Sequence, residues 1–193
     1  FVSHLHGDHC LLVPKLYKNG FRGATVIPQG NLGVYKTMAM DSAYISERDI
    51  LVINNQHNKK YEPLYSVEDV HTMLSYTLER PIGEKIYIDD ELSFEFVPSG
   101  HLLYGCQIVL YITIDGLTKT ILYTGDIGNS KIENHFVGKF QPVKNADLVI
   151  GESTYGDRHD LKTGNKERKN ERTIKRHGLK NKRASRNRKS QRC

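Results

Sequence analysis

Four potential metal ligands crowd into six consecutive residues near the start of this chain, His4-Leu5-His6-Gly7-Asp8-His9. Neutral imidazoles and an ionised carboxylate are borderline-to-hard donors, the set that suits Zn2+. The run follows the short apolar stretch Phe1-Val2-Ser3, read as the end of a buried strand. It precedes Leu11, Leu12, Leu16 and Tyr17, read as the inner face of a helix, so the donors are expected in the turn between the two. Residues crowded on one loop can address two neighbouring metal ions from opposite sides. A polar loop with solvated histidines is the plainer alternative, and the density of H-x-H-x-D-H argues against it.

Further polar groups recur later, each at the carboxyl end of an apolar run. Pro98-Ser99-Gly100-His101 follows one predicted strand, Gly125-Asp126 the next, and Gly151-Glu152-Ser153-Thr154-Tyr155-Gly156 the last. Sheet-edge sites are assembled from distant sequence in this way. His101 or Asp126 alone carries little; in series after the opening motif they become specific.

The elements that must position these residues are readable in outline. A helix is expected from near Leu12 to Gly20, because Pro14 is tolerated only in a first turn and Gly20 is a good residue just past a helix end. Residues 24–27 read as a short buried strand, and 31 to about 47 as a helix with Leu32, Tyr35, Met38 and Ala39 on one face. Residues 54–63 are polar enough to read as a loop. Ser66 should cap a helix carrying Val67, Val70, Met73, Leu74 and Leu78 at helical spacing, ending before Pro81. His71 falls on that helix with no second ligand one turn away, and is read as solvated or at the core edge. Strands are predicted over 85–88, 92–97, 107–114, 119–124 and 147–150, with Asp115-Gly116 as a type I′ hairpin turn.

Charge is split along the chain. Residues 1–161 hold 14 Lys and Arg against 20 Asp and Glu, a balance of −6, whereas 162–193 hold 14 against 2, a balance of +12. The net charge of +6 therefore describes the tail, and a mildly acidic body is not a basic nucleic-acid binder by composition. Three cysteines, Cys10, Cys106 and Cys193, with no C-x-x-C spacing indicate neither a disulfide framework nor a thiolate zinc knuckle. Cys10 and Cys106 are read as small buried side chains, and a reducing cytoplasm is expected. No apolar run approaches the ~18 residues of a membrane span. The chain opens inside what reads as a strand and without Met, so an N-terminal truncation is expected.

With these residues in place, the chain resembles the metallo-β-lactamase fold superfamily. His4 to His9 are similar to its H-x-H-x-D-H signature, Ser99-Gly100-His101 to its third histidine motif and Thr124-Gly125-Asp126 to its bridging aspartate motif. Glu152-Ser153-Thr154-Tyr155-Gly156-Asp157-Arg158 resembles the acidic motif of the β-CASP branch, which cuts nucleic acids. The resemblance covers about residues 1–160 and implies an α/β fold: a partial αββα sandwich lacking its first strands, followed by a disordered basic tail over 161–193. It implies two Zn2+ ions, with His4, His6 and His101 on one, Asp8 and His9 on the other, and Asp126 between them. Asp8 and Glu152 are the implied catalytic residues. The family also has strands before the first motif, an insert after the acidic motif, and later histidines that complete the second zinc site; none is recognisable here, so that site is expected to be under-liganded. Neither His159 nor His177 is promoted to the missing ligand. With only Ile174 and Leu179 as large aliphatics, the tail cannot form a core, and it resembles an out-of-frame reading of A-rich coding sequence.

Three functional classes stay open on this reading. The first is a fragment of a two-zinc phosphodiesterase of the β-CASP ribonuclease kind, expected to cut more slowly than an intact relative, with RNA favoured over DNA as its substrate. The second is a metallohydrolase of a thioester or other small ester or amide, against which the Glu152 motif argues. The third is a non-enzymatic fragment that adheres to RNA through its basic tail. Oligomeric state is not addressed by the sequence, and no membrane partner is expected.

Overall fold

The structure is a computed structural model that describes residues 1–58, 60–128, 137–154 and 156. Phe1–Glu152 form one compact unit, after which only Ser153, Thr154 and Gly156 are described. The expected basic tail over 161–193, the acidic-motif residues Tyr155, Asp157 and Arg158, and both His159 and His177 lie outside the described residues.

The hairpin nucleus of the larger sheet follows directly from its turn. Asp115 and Gly116 both have positive φ, 52° and 77°, the requirement of a type I′ connection, and they join β5 (Cys106–Ile114) to β6 (Leu117–Tyr123) with Ile114 opposite Leu117. β4 (Leu92–Pro98) pairs antiparallel with β5, β3 (Lys85–Tyr87) with β4, and β7 (Leu148–Ile150) runs parallel to β6, giving the order β3-β4-β5-β6-β7. All five match the predicted strands to within a residue or two. Alternation along β4 sends Phe94 and Phe96 to one face with Ile108 and Cys106, where Val26 of the other sheet joins them. Each such buried ring contributes about 1.5–3 kcal/mol. The opposite face holds Val97, Val109 and Leu122 beneath Val143 and Ala146.

The smaller sheet is a parallel pair, β1 (Thr25–Pro28) and β2 (Thr77–Arg80). Residues 1–3 are not a strand, yet they are held like one: Val2 N donates to Val26 O at 3.0 Å and Cys106 N donates to Ser3 O at 2.9 Å. This segment thereby joins the two sheets and sets His4 at their junction.

Three sequence expectations need correction. The donors expected in a turn lie partly on a helix, α1 (Gly7–Cys10), which begins inside the metal motif itself; the helix expected from near Leu12 is α2 (Val13–Lys18), with Pro14 in its first turn. Its end is as predicted, since Gly20 takes φ 95°, its N–H reaches Tyr17 O and that of Phe21 reaches Leu16 O, a Schellman pair. The helix expected to stop near residue 47 is α3 (Leu32–His57), which takes in residues 54–57 of the polar stretch read as a loop. Polarity there reflects a solvated helix face. The side-chain amide of Asn54 bonds both N and O of Tyr61, and Asn58, at φ 49°, forms the left-handed cap.

The third correction concerns α4 (Val67–Ser75). Ser66 caps it as predicted, in a capping box with Asp69, but the helix ends before Leu78. Leu78 is instead opposite Val26 in β2, so strand pairing prevailed over a helical spacing that was coincidental. Tyr35, Ala39 and Ala43 of α3 pack fully buried with Val70 and Met73 of α4, supporting the sheet junction from one side. The whole is a mixed α/β arrangement with two sheets, compatible with part of the sandwich that the resemblance implies.

Candidate metal centre

Three segments converge at the sheet junction. The first runs from His4 through α1, the second is the loop of residues 99–105 joining β4 to β5, and the third follows β6 and carries Asp126. Close approach of these segments is secured by glycine. Gly125 has φ 53°, and a Cβ there would lie 2.7 Å from Ser3 Oγ. Gly100, at φ 71°, lies so close to Phe140 that a Cβ would meet its N at 2.8 Å. Gly128 N donates to Ser99 O at 3.0 Å, tying the second segment to the third.

The donors meet at short range. His6 Nδ1 lies 3.2 Å from His4 Nε2 and 3.0 Å from His101 Nε2. Asp126 Oδ2 lies 3.3 Å from His101 Nε2, 3.5 Å from His4 Nε2 and 3.8 Å from His6 Nδ1. Its other oxygen, Oδ1, faces His9 Nε2 at 3.3 Å, and Asp8 Oδ2 faces the same nitrogen at 3.4 Å. One carboxylate thus presents one oxygen to three imidazoles and its second oxygen to a fourth. Ligand atoms of His4, His6, His101 and Asp126 all lie within 4.8 Å of one another.

This donor set fits a cation. His4 is 1% exposed, and burial first, then the neighbouring His9, lowers its pKa to about 4 against the opposing pull of Asp126. His4 is therefore neutral at pH 7 and keeps a lone pair. Its Nδ1 is paired with the buried Ser3 hydroxyl at 3.0 Å, which leaves Nε2 as the inward-facing atom. Three imidazole nitrogens and a carboxylate oxygen form an N3O set of the kind zinc takes.

Of the residues singled out by sequence, His4, His6, Asp8, His9, His101 and Asp126 come together. Glu152 does not join them: its exposed carboxylate accepts the N–H of Ile127 at 2.6 Å, so it grips the backbone just after Asp126. His71 is exposed on α4 and makes none of the cluster's contacts. Cys10 and Cys106 are each 1% exposed, and burial pushes their thiols up to about 11 and about 12, which keeps both protonated and unreactive. Two supporting residues escaped the sequence reading. Ser3 immediately precedes the motif, and Tyr123, whose hydroxyl lies 3.5 Å from His9 Nδ1, is three residues before Asp126. Position beside a ligand was the available signal, and it is a weak one.

No family model matches this chain. Individual proteins do. It is 27% identical over 157 residues to Ribonuclease TTHA0252 of Thermus thermophilus, covering 81% of this chain and 32% of that protein. It is 33% identical over 166 residues to the RNase J-like protein of Methanocaldococcus jannaschii, covering 86% and 33%. With Cleavage and polyadenylation specificity factor 73 of Drosophila melanogaster it shares 28% identity over 159 residues, covering 81% and 21%. The chain spans about a third of the length of the first two of these relatives. Its motifs, their convergence at the sheet junction and these likenesses agree: the homologues of this chain are ribonucleases of the β-CASP branch of the metallo-β-lactamase superfamily.

Proposed function

We propose that this chain carries the metal centre of a zinc-dependent phosphodiesterase that cleaves RNA. The observation that carries the reading is the split carboxylate of Asp126, with Oδ2 toward His4, His6 and His101 and Oδ1 toward His9. A carboxylate so divided suits two ions side by side, His4, His6 and His101 holding one, Asp8 and His9 the other. When bound, such ions supply Lewis acidity at phosphorus and lower the pKa of a water molecule toward neutrality. The chain's own residues do the rest. Asp8, with its side chain 79% exposed, faces the opening and is placed to accept a hydrogen bond from the attacking water. Asp126 is held from two directions, by Gly125 against Ser3 and by Glu152 on the N–H of Ile127.

RNA is the substrate class because two of the three relatives are named as ribonucleases, and an αββα sandwich is the fold this assignment implies. Hydrolysis of a thioester or small amide is not favoured, since none of these relatives' names points to it. Buried, protonated Cys10 and Cys106 accord with a reducing cytoplasm.

Metal analysis after exhaustive dialysis tests the centre. One zinc should be held tightly and the second more weakly, because Asp8 and His9 share only Asp126 with the first ion. His101→Ala should remove most of the first site's affinity, whereas His71→Ala should leave it unchanged. Cleavage of single-stranded RNA by the same preparation should stop on chelation and return with zinc. Unaltered cleavage in chelator, or two ions held equally tightly, would refute the arrangement.

A further inference from the structure

We propose that Tyr104 is a stacking platform for a nucleobase of single-stranded RNA beside the metal centre, an inference that rests on the ribonuclease reading above. Tyr104 has φ 57°, a left-handed conformation that costs a bulky residue free energy and is tolerated only where the surroundings impose it. Core packing does not account for it, because the side chain is 44% exposed. Its ring rests against Gly30, whose φ is 97° and where a Cβ would lie 2.7 to 2.9 Å from three ring atoms. Glycine at that position is what leaves the slot open.

The surroundings do impose the geometry. The side-chain amide of Asn31, itself 5% exposed, donates to Tyr104 O at 3.3 Å. Gly30 N and Leu32 N both donate to Glu79 Oε1, at 2.8 and 2.9 Å, which fixes the turn beneath the ring. Ser99 N donates to Gly105 O and Gly105 N to Leu102 O, closing the loop that carries both His101 and Tyr104. Three residues of chain put the two Cα atoms within about 11 Å of each other. A strained, half-exposed aromatic ring, locked in place on the same short loop as a metal-site histidine, is built to meet something that arrives there. For an RNA strand the matching chemistry is a base face, since stacking on tyrosine accepts any base and orients the backbone beside it.

The test compares binding of two strands by the full, zinc-loaded chain, using phosphorothioate linkages so that cutting is slow. One is a fluorescent single-stranded RNA and the other is a strand of equal length and charge with abasic sites; their affinity ratio removes the contribution of charge. Wild type should favour the base-bearing strand. Tyr104→Gly should reduce that preference by roughly 5- to 100-fold, while Tyr104→Phe keeps it. Melting temperature gives the second readout: glycine is unstrained at this φ, so Tyr104→Gly should melt no lower than wild type. A glycine variant that keeps the preference, or that loses it only together with its melting temperature, overturns the proposal. Wild type that cuts RNA but shows no preference between strands also sinks stacking and leaves the ribonuclease reading intact; wild type that neither prefers nor cuts RNA sinks both.

Discussion

Replacing Ser3 by Ala isolates what the residue before the motif contributes. The Ser3 hydroxyl and His4 Nδ1 are 3.0 Å apart, and the two residues are 2% and 1% exposed, so water cannot substitute for either partner. Losing the bond should cost the metal-free protein about 1–3 kcal/mol, the penalty of an unsatisfied buried polar group. For a domain of this size that is a fall in melting temperature of roughly 2–12 °C. Metal affinity should fall as well, by about 10- to 100-fold, because an imidazole without its outer partner is free to place its proton on Nε2, the atom facing the cluster. Zinc competition against a chromophoric chelator reads the second effect, and thermal melts of the chelated protein the first. Ser99 supplies the contrast: its Oγ is buried with no partner among the described residues, so Ser99→Ala should be neutral or stabilising by up to about 1 kcal/mol. Wild-type zinc affinity in Ser3→Ala, or equal destabilisation by both substitutions, would refute the reasoning.

Acid should act through His4. Its folded pKa of about 4 lies below the ordinary 6.5, so between those values the unfolded chain binds a proton that the folded chain refuses; stability of the metal-free protein should therefore fall as pH drops through that window. Denaturant titrations of the chelated chain at pH 7, 5.5 and 4 check this, and a flat profile contradicts it. Gly125→Ala should both destabilise, by about 1–2 kcal/mol for the left-handed backbone alone, and weaken zinc binding by pushing on Ser3. Gly116→Ala, at φ 77° with nothing within 4 Å of the new Cβ, should show the first effect without the second, as melts and zinc titrations of the two variants would reveal.

What the sequence made legible was local chemistry of high density. The H-x-H-x-D-H run, the Asp115-Gly116 turn, the Ser66/Asp69 capping box and Gly20 after α2 each carry their reason within a few residues. What stayed hidden depends on partners far along the chain. Nothing near Leu78 says that Val26 will pair with it, and nothing near Asn54 says that Tyr61 will satisfy its amide and let α3 run on. The same limit applies in the site. The motif implies Glu152 as a catalytic carboxylate; that one of its oxygens accepts the Ile127 N–H is visible only in the folded chain.

Dispersal of the donors has an energetic consequence. His4 and His9 come from one segment, and His101 lies on a loop nearly a hundred residues later that the β5–β6 hairpin brings beside Asp126, so the first segment meets the other two only through distant contacts. Packing of four imidazoles around one carboxylate gains from that charge when one ring is protonated, but not when two are. A second protonated ring would sit beside the first with nitrogens as close as 3.0 Å. Divalent cations would relieve this by taking the inward lone pairs as ligands. Metal binding free energy is in that case spent on holding the three segments in register, and protons compete for the same lone pairs. A centre so filled would be one of the bonds that closes this fold.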